Sequence, residues 1–233
     1  AWLPDATYLT HGECDVAHTE DIHNVFAKHD PEVIVHAAAL TDHQHPDAGE
    51  IIRTNVIGTE KIARFCRAFG VKLVYLSTHY VYPGTEGNYD EHALLRPIGT
   101  YAWSKYAGEG LARLSDPWLI VRGSWYTRET RLDAWARQGV FNDAWCSREH
   151  VDSAARKVAM LINGGATDIF NIGGKRRTFA DILEDEGYEA FPVRSRLEYR
   201  GPYPFPYDVS VSTAKFDAWL VERPTITFDP RMN

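Results

Sequence analysis

The chain has 233 residues, of which 44% are hydrophobic, and a formal net charge of −7 at pH 7. A length of this order predicts one large domain, or one domain with a smaller lobe. The negative charge and the lack of a Lys/Arg block exclude a nucleic-acid footprint. No apolar run reaches transmembrane length and no signal segment opens the sequence, so we expect no membrane partner.

The cysteines and histidines were considered as disulfide or metal sites. The cysteines are odd in number and widely scattered, which is typical of reduced thiols in a cytoplasmic protein: they are Cys14, Cys66 and Cys146. The closely spaced candidates for metal ligation are His11, Cys14 and His18, and the pair His43 and His45. None of these groups matches a zinc-ligand spacing with a second half-site, and we therefore predict no metal site.

Short apolar segments alternate with longer amphipathic ones over the first half of the chain. This alternation predicts an α/β fold in which a parallel sheet carries helices on both faces. Strands are predicted at 6–9, 32–40, 71–77 and 118–121, and helices from residue 19 onward and over 48–69. The run 32–40 (EVIVHAAAL) is almost continuously apolar, as is typical of a strand buried on both faces.

Beyond Trp125 the alternation loosens. The sequence predicts helices over 150–162 and 179–186, and a strand over 168–172. The segment 199–207 (YRGPYPFPY) is rich in proline and aromatic residues, which predicts a loop. The pattern therefore divides the chain near residue 125, into a first unit 1–125 and a smaller unit 126–233.

The run TYAWSKYAGEGLARL contains Tyr101 and Lys105, four residues apart on a predicted helix. Residues at this spacing share one helix face, so the Lys ammonium can lie near the phenol and lower its pKa. A tyrosine tuned in this way can exchange a proton with a carbonyl or alcohol oxygen. Taken alone, the pair is better explained as an amphipathic helix with an exposed Lys and a half-buried Tyr. The preceding strand, which ends in Ser77 and Thr78, favours the site.

Seven segments together resemble the extended short-chain dehydrogenase/reductase superfamily, and within it the dTDP-4-dehydrorhamnose reductase family. They are CDVAHTEDI, VIVHAAALT, TNVIGTEKIARFC around Asn55, LVYLSTHYVYPGT, YDEHALLRPIGTYAWSKYAGE, LIVRGSWY and PYDVSVSTAKF. The resemblance covers nearly the whole chain. It implies a doubly wound, Rossmann-like parallel sheet, with a cofactor-binding core over 1–125 and a mainly substrate-binding lobe over 126–233.

The resemblance also implies roles for individual residues. Thr78 would bind the reacting oxygen of a sugar, Tyr101 would be the general acid, and Lys105 would lower the pKa of Tyr101 and bind the nicotinamide ribose. The residues implied to lie along the cofactor are Asp15, Val16, Ala37, Ala38 and Ala39. The residues implied to lie along the sugar are Thr41, Ser77, His79, Tyr80 and Trp125. For the alanines and for Trp125, ordinary packing is an open alternative.

The start of the sequence departs from the family. The superfamily opens with a strand and a glycine-rich turn whose amides hold the cofactor pyrophosphate. No such glycine pattern occurs here, and alignment places 6–9 on the second strand, so the first strand–turn–helix unit is missing. Either the sequence is an N-terminally incomplete version of a normal enzyme, which we favour, or the sheet is contracted.

The cofactor choice rests on the end of the predicted strand 6–9. Thr10 and His11 replace the acidic residue that usually receives the ribose 2′-hydroxyl in NAD users. This favours NADP over NAD, with His11 as a contact to the 2′-phosphate.

Three functions are compatible with the resemblance. The leading one is an NAD(P)-dependent reductase of a nucleotide-linked 4-keto-6-deoxy sugar, with Tyr101 as proton donor and a homodimer as the expected assembly. The second is a nucleotide-sugar epimerase or dehydratase; dehydratases usually place an acidic pair after the Thr, where this chain has His79 and Tyr80. The third is a non-catalytic regulatory subunit, against which the three retained catalytic side chains argue.

Overall fold

The structure is a computed structural model that describes residues 2–42 and 45–223, apart from the side chain of Thr130. His43, one of the histidines considered above, lies outside the described residues. The α-helices are α1 (Thr19–His29), α2 (Ala48–Ile52), α3 (Thr59–Phe69), α4 (Thr100–Ala112), α5 (Asp133–Gln138), α6 (Val151–Asn163), α7 (Phe179–Asp185) and α8 (Ala214–Val221). Two π-helical turns (Arg53–Gly58 and Arg128–Leu132) and two 3₁₀ turns (His79–Val81 and Arg196–Glu198) accompany them.

The strands of the described residues form one four-stranded sheet and three two-stranded ones. The strands are β1 (Val33–His36), β2 (Lys72–Leu76), β3 (Trp118–Arg122), β4 (Trp125–Tyr126), β5 (Val140–Phe141), β6 (Trp145–Cys146), β7 (Glu149–His150), β8 (Asp168–Asn171), β9 (Arg177–Thr178) and β10 (Val193–Arg194). The main sheet is parallel throughout, in the order β1-β2-β3-β8. Parallel neighbours need crossover connections, which the helices supply.

Helices cover both faces of the main sheet. Leu73 and Tyr75 of β2 face one layer, formed by α1 and α3, whereas Val74 between them faces the layer formed by α6 and α8. All three side chains are fully buried. Alternate side chains of a strand point to opposite faces, so a strand with both faces covered reads as a continuous apolar run. The predicted α/β, doubly wound, Rossmann-like sheet is therefore confirmed.

The second half of the chain contributes to two bodies of structure. Strand β8 and helices α6 and α8 belong to the main sheet and its covering layer. The segments around α5 and α7 form a separate apolar cluster, centred on Leu132, Cys146 and Ile182. The three short strand pairs β4–β7, β5–β10 and β6–β9 hold these segments together. The division at residue 125 into a cofactor part and a substrate part stays a prediction.

Two predictions about the first sheet elements are wrong. Residues 6–9 form no strand: Tyr8 is 69% exposed, and the backbone of 6–9 pairs with no strand among the described residues. A strand requires the hydrogen bonds of a neighbour, and this segment has none. Strand β1 is shorter than the predicted 32–40 and lies at the edge of the described sheet, so Val35 is 37% exposed instead of buried on both sides.

Candidate active site

The site begins where β2 ends. The chain continues beside β3 for three more residues, because Ser77 N–H donates to Val121 O at 2.7 Å and His79 N–H donates to Gly123 O at 3.2 Å. Thr78 lies between them, is 4% exposed, and caps a 3₁₀ turn by accepting a hydrogen bond from Tyr80 N–H at 3.3 Å. The backbone on both sides of Thr78 is thereby fixed, and so is the direction of its hydroxyl.

Helix α4 carries Tyr101 and Lys105 on one face, as predicted. It packs close to β2 because Gly108 has no side chain: a Cβ there would lie 2.1 Å from the Tyr75 hydroxyl. Gly99 starts the helix with φ of +85°, a conformation that suits glycine. The close approach brings the first turns of α4 against the end of β2.

The phenol of Tyr101 and the hydroxyl of Thr78 share a hydrogen bond. Burial raises the pKa of Tyr101 to about 12, and the Thr78 hydroxyl, Arg148 and Arg131 oppose that rise. Each of these three groups favours the phenolate, either by a hydrogen bond or by its charge. The structure therefore brings together Thr78 and Tyr101, two of the three residues predicted to carry the chemistry.

Lys105 is buried on the same face but its ammonium points elsewhere. The residue is 3% exposed, and Nζ lies 4.1 Å from the centroid of the Tyr75 ring. Burial lowers the pKa of Lys105 to about 7, and the charge of Glu109 opposes this. The sequence predicts that Lys105 lowers the pKa of Tyr101; the cations that do so in this structure are Arg148 and Arg131. The role of Lys105 toward Tyr101 stays a prediction.

A buried ion pair lies beneath the site. Glu109, one turn after Lys105, accepts two hydrogen bonds from Arg122 at the end of β3, at 2.8 and 2.7 Å. Its Oε1 also accepts a hydrogen bond from Ser77 Oγ at 2.6 Å. The Arg122 and Glu109 side chains are only 1% and 2% exposed. Ser77 thus donates its hydroxyl proton to Glu109, and its predicted contact with a sugar stays a prediction.

A single amide links the loop after β1 to helix α4. Asn55 lies on the π-helical turn, is 1% exposed, and accepts a hydrogen bond from Leu40 N–H at 2.8 Å. Its Nδ2 donates to Leu40 O at 3.0 Å and to Ser104 Oγ at 2.9 Å. Ser104 in turn donates to the carbonyl of Tyr101 at 2.7 Å. The loop and the first turn of α4 are thus held in one arrangement.

The residues predicted to line the cofactor lie in different environments. Ala37 and Ala38 follow β1 and are exposed, and Ala39 is half-buried, so a ligand can approach the backbone there. The Asp15 carboxylate closes its own turn by accepting a hydrogen bond from Ala17 N–H at 2.9 Å. The remaining two are Val16, whose side chain is in the core at 7% exposure, and His11, whose side chain is 85% exposed and lies 4.0 Å from the Asp15 carboxylate.

The residues predicted to line the sugar also divide. His79 and Tyr80 follow Thr78 directly, and their rings meet edge to face at 4.6 Å. Thr41 lies on the exposed loop after β1. Trp125 packs against the apolar layer that α6 and α8 form, which agrees with the packing alternative. Contacts of these side chains with a sugar stay predictions.

Sequence reasoning missed three buried charged residues of the site: Glu109, Arg122 and Arg148. Glu109 could have been found, since it is four residues after Lys105 on the same helix face. Arg122 ends an apolar strand (WLIVR), where a charge requires a buried partner. No local pattern distinguishes Arg148, which reaches Tyr80 OH at 3.1 Å only in the folded chain.

The parallel sheet, with a threonine at the end of one strand and a Tyr-x-x-x-Lys helix packed against it, defines a member of the extended short-chain dehydrogenase/reductase class. Residues 5–135 match the family model described as "RmlD substrate binding domain". The match covers more than half of the chain, and the chain belongs to this family.

Individual relatives agree with that assignment. A "dTDP-4-keto-6-deoxy-D-glucose reductase" from Streptomyces niveus is 32% identical over 178 residues, 70% of this chain and 62% of the relative. A "methionine adenosyltransferase 2 subunit beta" from Bos taurus is 34% identical over 92 residues, 38% of this chain and 27% of the relative. The chain therefore spans less than two thirds of the length of either protein.

Solved structures share the fold. The crystal structure of a dTDP-4-dehydrorhamnose reductase from Bacillus anthracis, in complex with NADP, superposes with a TM-score of 0.81 at 22% identity. The alignment covers 96% of this chain and 90% of that one. Over residues 2–42 and 45–223, no helix is long and apolar enough to cross a membrane, and no three potential metal ligands come together.

Proposed function

We propose that the chain is the catalytic part of an NAD(P)-dependent reductase that acts on a nucleotide-linked 4-keto-6-deoxy sugar. The observation that carries the proposal is the hydrogen bond between the buried Thr78 and the half-buried Tyr101, on the face of α4 that also bears Lys105. The name of the Streptomyces niveus relative supports the substrate class.

In the proposed reaction the cofactor, when bound, supplies a hydride to the keto carbon. The Tyr101 hydroxyl gives its proton to the carbonyl oxygen as that carbon is reduced, so an alcohol forms and Tyr101 is left as phenolate. Thr78 holds the reacting oxygen and hydrogen-bonds the phenolate. Arg148 and Arg131, the cations that already favour the ionised form, stabilise the charge that the proton leaves behind.

The described residues fit part of a dinucleotide. Exposed alanines 37–38 leave the carboxyl end of β1 open to a flat ligand, which is where α/β sheets bind nucleotides. Lys105 would bond the nicotinamide ribose, and Asp15 with the backbone of Val16 would meet the adenine. We propose NADP over NAD, because His11 is exposed and can contact a 2′-phosphate when protonated.

Titration with NADPH and NADH, followed by quenching of Trp fluorescence, tests cofactor binding. The expected result is saturable binding with tighter affinity for NADPH, and His11→Ala should reduce that preference. Tyr101→Phe should bind cofactor as the wild type does but lose turnover of a dTDP-4-keto-6-deoxy sugar. Near-full turnover by Tyr101→Phe contradicts the proposal.

A regulatory role is the second candidate, since the bovine relative is named as a subunit of another enzyme. That match covers 38% of this chain, and the set of Thr78, Tyr101 and Lys105 has no use in a purely binding protein. A folded chain that binds neither cofactor but captures a stable partner protein would favour this role. Release of oxidised cofactor in each turnover would separate the reductase from an epimerase of the same class.

A further inference from the structure

Arg148 is a buried cation without an acidic partner. It is 6% exposed, yet it forms no ion pair with a carboxylate anywhere in the described part of the chain. Two arginines of the segment that packs beside it behave differently: Arg176 pairs with Asp208, and Arg177, whose Nη2 donates to Arg148 O at 3.2 Å, pairs with Asp185, each pair at 2.7 Å. Arg148 is therefore more deeply buried than these two arginines and still lacks a counter-charge.

The surroundings of Arg148 satisfy the guanidinium only in part. Nη2 donates to Tyr80 OH at 3.1 Å, whereas the buried Nε has no hydrogen-bond partner. The guanidinium carbon lies 5.8, 5.6 and 5.5 Å from the ring centroids of Tyr80, Trp135 and Phe179. These distances approach the limit of about 6 Å for a cation–π contact, so the rings offset little of the cost of burying a charge.

Arg148 lies close to the residues of the candidate active site. Tyr80, which it contacts, donates its backbone N–H to the hydroxyl of the 3₁₀ cap residue Thr78, and the charge of Arg148 acts on the phenol of Tyr101. Arg131, on the second π-helical turn, acts on the same phenol and has no carboxylate partner in the described ranges either. Arg148 and Arg131 lie on different elements, and the charge of each favours the phenolate of Tyr101.

We propose that Arg148, assisted by Arg131, binds an anionic oxygen group of the substrate, either a phosphate of the nucleotide or a carboxylate on the sugar. A guanidinium with a vacant Nε–H matches both groups, because each presents two oxygens to a planar fork of donors. The inference rests on the proposed function in that it takes the ligand to be a nucleotide sugar. The inference adds the residues that recognise the anionic group of that ligand.

Binding of small probes to Arg148→Gln tests the inference, with Trp fluorescence as the readout because Trp135 adjoins the guanidinium. The probes are inorganic diphosphate, dTDP against thymidine, and UDP-glucuronic acid against UDP-glucose. We expect Arg148→Gln to weaken the binding of the anionic probes roughly tenfold to a hundredfold, which is the range for loss of a charge-assisted hydrogen bond. Arg131→Gln should have a smaller effect. Arg137→Gln, which removes an exposed charge from α5, is the matched control.

The pattern of losses identifies the source of the anion. A similar loss of affinity for diphosphate, dTDP, UDP-glucose and UDP-glucuronic acid, with thymidine unaffected, assigns a nucleotide phosphate. Loss of the preference for UDP-glucuronic acid over UDP-glucose, with the affinity for dTDP unchanged, assigns a sugar carboxylate. Equal affinities of wild type and Arg148→Gln for every probe overturn the inference. Titration with NADPH is run in parallel: its failure counts against the proposed function, and it leaves the anion result standing.

Thermal unfolding of Arg148→Met separates a ligand role from a structural one. A buried cation without a partner destabilises the free protein, so its removal should leave the melting temperature unchanged or raise it. A substrate anion should stabilise the wild type and not the variant. A large drop in melting temperature for Arg148→Met would show that the contacts of Arg148 are structural, and would overturn the inference.

Discussion

The buried ion pair of Glu109 and Arg122 permits a quantitative test of what holds α4 against the sheet. Glu109→Gln keeps the shape of the side chain but removes its charge, so Arg122 is left buried without a counter-ion. Three hydrogen bonds of 2.6 to 2.8 Å converge on the Glu109 carboxylate, and both partners are almost fully buried. The full effect of an uncompensated buried charge should therefore appear.

The expected magnitude follows from that burial. Removing one partner of a buried pair costs about 3–5 kcal/mol. For a chain of this length each kcal/mol shifts the melting temperature by roughly 2–4 °C, so Glu109→Gln should melt about 6–20 °C lower. Urea unfolding, followed by far-UV circular dichroism, measures the free energy directly.

Two further variants make the test specific. Glu60→Gln breaks an ion pair in which Arg64 Nη1 lies 3.1 Å from Glu60 Oε1 and the Arg64 side chain is exposed. This substitution should change the free energy of unfolding by at most about 1 kcal/mol. The double variant Glu109→Leu with Arg122→Met removes both charges and should recover most of the loss. If Glu109→Gln is no less stable than Glu60→Gln, the reasoning about this buried pair is refuted.

Three other predictions concern buried groups of the same core. Burial lowers the pKa of Lys105 to about 7, so the charged form opposes folding and the free energy of unfolding should rise between pH 7 and about 10.4. Lys105→Met should therefore stabilise the protein most near pH 6–7. Urea unfolding at pH 6.5 and 9.5 should show that the stability gained by the variant is smaller at the higher pH. Burial lowers the pKa of His36 to about 3, so the wild type should lose stability as the pH falls below about 6.5. His36→Gln should lose less stability over the same pH range, which an acid titration followed by circular dichroism measures. Gly108→Ala should lower the melting temperature because its Cβ meets Tyr75, whereas Gly110→Ala, which meets nothing, should raise it.

The sequence was sufficient for the elements whose pattern is local. Strands β2 and β3 are apolar on both faces, and the segment 48–69 keeps its helical period through the π-helical turn. The two strands and the helical segment were therefore predicted correctly. The prediction of a strand over residues 6–9 was wrong for the opposite reason. Their apolar pattern is that of a strand, but strand formation depends on a neighbour and not on the segment itself.

The site was predictable to the extent that it depends on helix geometry and on family resemblance. The i, i+4 spacing places Tyr101 and Lys105 on one face, and the same spacing reaches Glu109. The spacing does not predict which groups the side chains contact. Lys105 Nζ lies over the Tyr75 ring, and the Ser77 hydroxyl donates a hydrogen bond to Glu109. These directions, like the position of Arg148, depend on contacts between residues 30 to 68 positions apart, and patterns of local sequence do not reveal such contacts.

The three hydrogen bonds of Asn55 have a consequence for the entropy of ligand binding. They tie the backbone of Leu40 to Ser104, and through it to the turn that bears Tyr101. The loop after β1 and the first turn of α4 are therefore held in place when the chain folds, and a ligand that contacts both has little left to immobilise. Preorganisation of this kind converts more of the contact energy into affinity. It also restricts binding to ligands whose shape already fits the fixed arrangement of these two segments.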